Sequence, residues 1–476
     1  MLHSRRPPII VVVGGHNVRI FGEAHGVSVL QAREEAREAG RPTSFLDRVF
    51  HLRERGTTVP VEVTAGLTTF MTMAYILFVN PSILGAAGVP KAGAAVATAL
   101  AAGIMTIAMG LAANAPFALA SGMGLNAALA YGLVTGQHVS WQTAMGVVFV
   151  EGSIVTLLVL TNVREAVMDA IPVHLKKAIG VGIGLFIALI GLVDSKLVVA
   201  SPATVVTFGP VTEKGVLLTI IGLLLTAVLA ALRVRGAILL GILGTTLIGI
   251  PLGITHLSTH LVEVPSAASF TTIGRLDVAG ALKLGMLAAV FAFMMTDFFD
   301  TMGTVVAVGG EAGLLDKEGR LPNLRNILLV DSLAAVVGGL FGASSVTTYV
   351  ESSAGVAEGG RTGLTSVVTG LLFLVSVFFA PVFLMVPSQA TAPALIVVGF
   401  LMMSAVREIP FDDFGKAFPA FITLLTIPVT YSISRGIGYG LISYCVIQLA
   451  TGRAREVHWA LWIVAALFAA SFVVGS

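Results

Sequence analysis

Two aspartates in the middle of an apolar run are the residues whose chemistry most needs an explanation. Asp297 and Asp300 lie in FMMTDFFDTMGT (293–304), within a run long enough to cross a bilayer. In a helix they share one face with Thr301 and Thr304. An Asp at the centre of a spanning helix costs about 2.5–3.5 kcal/mol, so two on one turn need a partner, a cavity or a proton. We therefore predict a functional site here, rather than a pair of carboxylates at a helix end.

The overall composition is typical of a polytopic membrane protein. Of 476 residues, 56% are hydrophobic and 11% charged, whereas soluble proteins average about 25% charged residues. The formal net charge of +2 gives no reason to expect nucleic acid as a partner. Cys445 is the single cysteine, which excludes an internal disulfide framework and a thiolate metal site. GVGIG (180–184) lies in an apolar run with no strand before it, so it does not predict a nucleotide loop. We expect lipid around the chain and no cofactor or metal.

The apolar runs predict fourteen membrane spans, seven on each side of a polar loop at 256–282. They lie near 62–84, 92–113, 121–135, 142–162, 172–193, 215–233 and 236–255, and then near 284–308, 326–343, 351–358, 363–386, 391–406, 414–432 and 436–451. A further apolar stretch at 459–474 is expected to span, to lie at the interface or to pack against the bundle. Lys and Arg are concentrated in the loops that are inside when the N-terminus is cytoplasmic, so we predict that both ends of the fourteen-span core face the cytoplasm.

An odd number of spans in each half forces the halves to be inverted relative to each other. TALAAG (98–103) resembles DSLAAV (331–336), and RVRGAILLG (233–241) resembles SISRGIGYG (432–440), in the same order. The expected divisions are a cytoplasmic N-terminal extension (1–60), a first seven-segment repeat (61–255), an extracellular linker (256–282), an inverted second repeat (283–452) and a C-terminal apolar segment (453–476). Within the extension, the pattern at 27–40 predicts a short polar helix.

The third span of each half is predicted to be broken. The stretches 115–132 and 344–360 both open with a short extended segment and then turn into small residues typical of a helix start. Irregular backbone is tolerated in a membrane where it lines a cavity, and two half-helices that meet there present N–H groups to a ligand. Asn126 lies in the first turns of one half-helix and Glu351 at the start of the other. The alternatives are that the glycines only permit close helix packing and that Glu351 is a plain helix cap.

Five motifs, in order along the chain, resemble the AzgA-like purine permeases, the adenine/guanine/hypoxanthine branch of the nucleobase–cation symporter-2 (xanthine/uracil permease) family. They are GLTTFMTMAYILFVNPSIL (66–84), SGMGLNA (121–127), DFFDTMGT (297–304), TTYVESSAGVAEGGRTGLT (347–365) and ATAPALIVVGFLMM (390–403). The resemblance implies an all-α membrane fold of 14 segments in two inverted 7-segment repeats. It implies core and gate domains, with short strands in segments 3 and 10. It also implies proton-coupled import of purine bases across the bacterial inner membrane, and a homodimer through the gate domains.

The resemblance places the acidic residue of segment eight on Asp297, the segment-ten glutamate on Glu351 and the segment-three asparagine on Asn126. Carboxylates accept hydrogen bonds from the N–H groups of a purine edge, and half-helix N–H groups donate to its ring nitrogens. The residues that we expect to bind substrate are Asp297, Glu351, Asn126, Gly124, Thr348, Phe117 and Phe298, the two phenylalanines covering the ring. Asp297, Asp300 or Glu351 is expected to carry the coupling proton.

Two positions depart from the family pattern, and several other functions compete. Ser121 stands where the family usually has proline, and Glu151 lies in mid-span four, as a specificity or coupling residue or as the partner of a polar neighbour. An intramembrane aspartyl protease would place its aspartates on two helices, and a channel would need a continuous polar pore. We therefore expect a transporter and no enzyme. A xanthine/uracil-type permease is an alternative against which DFFDTMGT argues, and a non-transporting purine-binding receptor is a further alternative.

Overall fold

The computed structural model describes residues 9–13, 16–20, 44–161, 172–257, 260–315, 321 and 323–474. The chain divides into two compact units, Met1–Val59 and Pro60–Ser476. In the first unit, strands β1 (Ile9–Val13) and β2 (His16–Ile20) pair antiparallel, and helix α1 spans Phe45–Phe50. Ser44 caps α1 by accepting a hydrogen bond from the Asp47 backbone N–H at 3.1 Å. The polar helix predicted at 27–40 lies outside the described residues.

From Val59 onward, the first half of the chain is a series of apolar helices with three short strands. They are α2 (Val59–Met73), α3 (Ile76–Ala86), α4 (Lys91–Ala112), β3 (Leu119–Ser121), α5 (Met123–Ala127), α6 (Trp141–Leu160), α7 (Val173–Asp194), β4 (Val198–Ser201), β5 (Val205–Phe208), α8 (Lys214–Ala231) and α9 (Ala237–Gly249). α2 and α3 are separated by a break at Ala74 and Tyr75. α5 continues as a π-helix over Ala128–Thr135, a rare form that is frequent at functional sites.

The second half repeats this mixture of long and interrupted helices. Its elements are α10 (Val278–Ala281), α11 (Leu284–Glu311), α12 (Leu324–Phe341), β6 (Val346–Thr348), α13 (Ser352–Ala357), α14 (Gly363–Ser376), α15 (Ala380–Met385), α16 (Ser388–Met402), α17 (Phe414–Val429), α18 (Ile433–Ala450) and α19 (Trp459–Val474). Short 3₁₀ turns at Ala267–Phe270, Val377–Phe379, Met403–Glu408 and Ala454–Glu456 join or extend them.

Nine helical stretches in the described part of the chain are long and apolar enough to cross a membrane. Other apolar helices are shorter, such as Met123–Thr135 and Ala237–Gly249. A helix of 13 residues rises only about 20 Å, against a hydrocarbon core of about 30 Å. The chain is therefore a helical, multi-pass membrane protein, and its division into fourteen segments stays a prediction.

The two short strands predicted in the broken spans are present and pair with each other. β3 and β6 run antiparallel, with Leu119 opposite Thr348 and Ser121 opposite Val346. Because the two strands are antiparallel, the chain leaves β3 toward α5 and β6 toward α13 from opposite ends of the ladder. Every residue of both strands is buried, so the backbone groups of the irregular segments bond to each other rather than to lipid.

The helices pack in two sets. In the first packing set, α4 contacts α3, α12 and α14, and α6 contacts α11 and α12. In the second packing set, α7 contacts α16 and α17, α8 contacts α9 and α16, and α17 contacts α18. Contacts between the sets include α5 with α7, α3 with α16, and α11 with α18. The strand crossing belongs to the first set, and it lies beside α11.

The C-terminal apolar stretch forms α19, which packs against α18 and α11. The ring of Phe468 lies 5.7 Å from that of Phe291 on α11, and the ring of Phe472 lies 4.8 Å from that of Tyr439 on α18. The segment is therefore a helix in contact with the bundle, and its relation to the membrane stays a prediction.

Candidate functional site

α11 brings both predicted aspartates to the strand crossing, because it contacts β6, α13 and α5. Asp297 is fully buried, whereas Asp300, almost one turn later, is exposed. Both lie on α11 three residues apart, as the sequence predicted, and they differ in exposure. The charge of Asp300 interacts with those of Glu351 and Asp331, so this carboxyl lies near two other acidic groups.

Glu351 is held by a residue from the first span. It stands immediately before α13, but its side chain makes no capping hydrogen bond to that helix. Its carboxylate instead accepts a hydrogen bond of 2.5 Å from the hydroxyl of Tyr75, which lies at the break between α2 and α3. The Thr72 hydroxyl is 3.5 Å from the Glu351 carbonyl. The break in the first span thus positions the Glu351 carboxylate, and a plain helix cap does not describe its role.

A further carboxylate, Asp331 on α12, is fully buried behind β6. Its Oδ1 accepts hydrogen bonds from the Thr348 backbone N–H at 2.8 Å and the Thr348 hydroxyl at 2.7 Å. Its Oδ2 accepts one from Thr301 at 2.6 Å, and Thr347 lies 3.4 Å from Oδ1. Three such donors, from Thr301 and Thr348, favour the charged form of a carboxylate, and through them Asp331 ties β6 to both α11 and α12.

The Ser121 carbonyl joins the two half-helices. It accepts a hydrogen bond from the Asn126 side-chain amide at 3.3 Å and one from the Tyr349 hydroxyl at 2.5 Å. Tyr349 in turn interacts electrostatically with Glu351 and Asp300. The structure therefore brings Asn126, Glu351 and Asp300 into one region. Among the described residues, the Asn126 Oδ1 has no hydrogen-bond partner although it is fully buried.

The remaining predicted residues are placed less directly at this region. A Cβ at Gly124 would lie 2.4 Å from Ile183 on α7, so this glycine permits a close helix contact. Thr348 uses its hydroxyl on Asp331. Phe117 and Phe298 are both fully buried, in two different hydrophobic clusters. The structure thus brings neither phenylalanine to an open face of the site.

Comparison with known proteins assigns the chain to a family. Residues 61–438 match the Xan_ur_permease family, described as Permease family. The chain belongs to the xanthine/uracil permease family. This permease is 46% identical over 424 residues to the adenine permease AdeP of Escherichia coli, with 89% of this chain and 95% of AdeP covered. It is 44% identical over 431 residues to the guanine/hypoxanthine permease PbuO of Bacillus subtilis, with 88% and 98% covered.

Two solved structures of similar fold are the transmembrane domain of the bicarbonate transporter BicA and SLC26A9. The transmembrane domain of a cyanobacterium bicarbonate transporter, BicA, matches this permease with a TM-score of 0.61 at 16% identity, covering 79% of this chain and 96% of that one. The SLC26A9 structure matches with a TM-score of 0.60 at 9% identity, covering 91% and 73%. At these identities the likeness establishes the fold alone.

Tyr75 and Asp331 are functional candidates that sequence reasoning missed. Tyr75 is a polar aromatic in mid-span, directly before a helix break, and that position is a signal that reading the span as continuous overlooked. Asp331 is a lone carboxyl within an apolar span, which by the same argument as for Asp297 predicts a functional or paired group. Its partners Thr301, Thr347 and Thr348 are visible only once the fold is known.

Proposed function

We propose that this permease imports purine nucleobases, namely adenine, hypoxanthine and guanine, by proton symport. The observation that carries the proposal is the strand crossing, which gathers Glu351, Asp300 and Asn126 inside a bundle of membrane helices. The names of the relatives AdeP and PbuO supply the substrate class. Catalysis of a chemical reaction is not part of the proposal, because these relatives are named as permeases.

The chemistry of a purine edge fits acidic and amide groups held in this way. Purines present N–H donors and ring-nitrogen acceptors in one plane, so a carboxylate and a carboxamide can each bind one of these groups. We propose that N–H groups of the base donate hydrogen bonds to Asp297 and Glu351. Asn126, Gly124 and Thr348 are proposed to help to bind the base. Phe117 and Phe298 are proposed to cover the ring face, which requires them to leave their buried positions during the cycle.

Proton coupling is proposed for the same acidic groups. Asp297, Asp300 and Glu351 lie on or beside α11, and like charges close to one another disfavour simultaneous ionisation. A proton taken up with the base lowers the charge that must cross the bilayer. One of these three carboxyls is therefore proposed to bind the coupling proton together with the purine.

We also propose the finer architecture. Fourteen segments form inverted repeats at 61–255 and 283–452, joined by an extracellular linker at 256–282 and flanked by a cytoplasmic extension (1–60) and the C-terminal segment 453–476. The first packing set is proposed to be the core domain, and the second the gate domain. The antiparallel crossing of β3 and β6 supports an inverted relation between the repeats. We place the N-terminus in the cytoplasm, the chain in the bacterial inner membrane, and a homodimer contact on the gate domain.

The experiment is uptake of labelled adenine, hypoxanthine, guanine, xanthine and uracil in cells that lack their own purine permeases, with and without a protonophore. We expect accumulation of the first three that collapses with the protonophore. Uptake of xanthine or uracil alone would contradict the purine assignment, and binding without accumulation would indicate a receptor.

The Asp297→Asn variant should lose proton-driven accumulation, because an amide cannot exchange a proton or accept from two donors as a carboxylate does. The measurement is the ratio of internal to external labelled adenine, compared at equal protein in the membrane. Normal accumulation by the variant would refute the role given to Asp297.

A further inference from the structure

Glu151 is a carboxyl at the middle of α6 that the proposed substrate site does not use. It is fully buried, and it lies about 15 Å from either end of its helix at 1.5 Å per residue. Its Oε1 accepts a hydrogen bond of 2.9 Å from the Ser345 hydroxyl. Within the described part of the chain its Oε2 has no hydrogen-bond partner. An ionised carboxylate with a single donor in such a place is strongly disfavoured, so its charge state needs an explanation.

The charged groups around α6 do not neutralise Glu151. The titratable or charged residues on or beside the elements packed against α6 are Arg325 and Asp331 on α12, Asp297, Asp300 and Glu311 on α11, Asp277 and Lys283 beside α10, Tyr131 on the π-helix and Tyr349 after β6. Arg325 contacts the Leu160 carbonyl at one end of α6, and Asp277 contacts Thr143 near the other end. Among these groups, the one that interacts electrostatically with Glu151 is Asp331, another carboxyl.

The two carboxyls differ in the hydrogen-bond donors that surround them. Among the described residues, Asp331 accepts hydrogen bonds from the Thr301 hydroxyl and from the Thr348 N–H and hydroxyl, whereas Glu151 accepts one from the Ser345 hydroxyl. Donors favour the charged form, and a neighbouring like charge opposes ionisation of the second group. With Asp331 ionised, the proton of the pair belongs on Glu151.

Glu151 is connected to the strand crossing through Ser345. The Ser345 hydroxyl donates to Glu151, and the Ser345 carbonyl accepts from the Gly122 N–H, at the start of α5, at 2.8 Å. Around this end of the ladder, the hydroxyls of Ser121 and Ser344 are also buried and, within the described residues, have no hydrogen-bond partner. Ser121 and Ser344 thus add polar groups at the end of the ladder that Ser345 links to Glu151.

We infer that Glu151 is a proton-binding site of the transport cycle, separate from the substrate-facing carboxyls, with Asp331 as its ionised partner. The inference rests on the proposed proton symport and adds a site to it. The proton on Glu151 exchanges with the strand crossing, so the number of protons moved with each purine includes one that never contacts the base.

The test uses purified full-length protein in liposomes, with purine-driven proton entry followed by an internal pH dye and purine entry by label. In Glu151→Gln the amide is permanently neutral. We expect the ratio of protons to purine to fall by one, while exchange of labelled for unlabelled purine continues. The accumulation ratio of purine that an imposed pH gradient drives should fall about tenfold for each pH unit of the gradient. Each coupled proton contributes a factor of about ten per pH unit. An unchanged ratio would overturn the inference.

Glu62→Gln is the matched control. Glu62 is also fully buried, but both of its oxygens accept hydrogen bonds at the start of α14, from Arg361, Thr362 and Thr365. The Glu62→Gln variant should have a lower melting temperature than the wild type and the same ratio of protons to purine. An equal fall in both variants would show a general packing effect and overturn the assignment to Glu151.

Ser345→Ala tests the same site if Glu151→Gln does not fold. It removes the hydroxyl that donates to Glu151 and keeps the carboxyl, so Glu151 should hold its proton more tightly. We expect the midpoint of uptake against pH to move to higher pH, and an unmoved midpoint would overturn the inference. Wild-type protein that takes up purine without protons would refute the proposed symport itself, which separates that failure from a failure at Glu151.

Discussion

At the scale of single residues, the carboxyls of this bundle are distinguished by the donors that surround them. Among the described residues, Asp331 accepts from three donors, Glu351 from the Tyr75 hydroxyl and its own backbone N–H, and Glu151 from the Ser345 hydroxyl. A carboxylate with more donors keeps its charge more readily, whereas one with fewer donors takes up a proton more readily. We therefore expect Asp331 to act on transport through the position of β6, and Glu351 to act on the substrate.

Tyr75→Phe tests whether the first span positions Glu351. The variant removes the hydroxyl that donates to this carboxylate, and a hydrogen bond to a charged group contributes about 1.5–3 kcal/mol. We expect the KM of purine uptake to rise about tenfold or more, since about 1.4 kcal/mol corresponds to a factor of ten. Tyr439→Phe is the control, because the Tyr439 ring packs on Phe472 at the periphery. Equal KM values for the two variants would contradict the positioning role.

The sequence predicts the acidic residues of the site better than it predicts their partners. Asp297 and Glu351 are conspicuous because a carboxyl in an apolar span is costly wherever it lies. The pairing of Tyr75 with Glu351 joins residues 276 positions apart, and local periodicity contains no information about such a contact. The aromatic assignments of Phe117 and Phe298 stay predictions for the same reason: residue type suggests stacking, but tertiary packing decides where a ring lies.

At the scale of elements, the spacing of α4 and α14 is set by glycines that face each other. A Cβ on Gly363 would lie 1.9 Å from the Gly110 carbonyl oxygen, and one on Gly370 would lie 2.6 Å from the Gly103 carbonyl oxygen. Without a hydrophobic driving force between helices in lipid, close backbone approach of this kind is a main source of helix association. This contact holds the helix that follows α13 against the helix that precedes β3.

Gly363→Ala should destabilise the protein by about 1–3 kcal/mol, as expected for overpacking. The measurement is the melting temperature of the purified protein in detergent. Gly180→Ala is the matched control, since a Cβ at that position in α7 meets nothing within 4 Å. Similar melting temperatures for the two variants would contradict the view that the glycine contact fixes the spacing of α4 and α14.

The strands of the two broken spans were predictable from the sequence, and the other irregular elements were not. Proline before an apolar stretch and β-branched residues before small ones indicate the strands at Leu119–Ser121 and Val346–Thr348. The hairpin of β4 and β5, the π-helix and the break at Tyr75 have weaker local signals. In each, tertiary contacts select a conformation that the sequence alone permits but does not require.

At the scale of the whole molecule, each packing set has its most extensive contacts within itself, and this arrangement suits movement of one set against the other. The strand crossing belongs to the first set, so its acidic groups would move with it. A cycle that opens the site to each side of the membrane in turn can be described only when the orientation of the chain is known. The distribution of Lys and Arg predicts that orientation.

Single cysteines test the orientation and the segment count together. Cys445 is buried and is the single cysteine, so Cys445→Ala gives a background without thiols. Ala203→Cys lies in the exposed β4–β5 turn, predicted outside, and Phe411→Cys lies in the exposed segment before α17, predicted inside. We expect a membrane-impermeant maleimide to label the first in intact cells and the second only after permeabilisation. The reverse labelling pattern would show that the chain has the opposite orientation in the membrane. Labelling of both in intact cells would require an even number of crossings between them, whereas fourteen segments place seven there, so that result would refute the segment count.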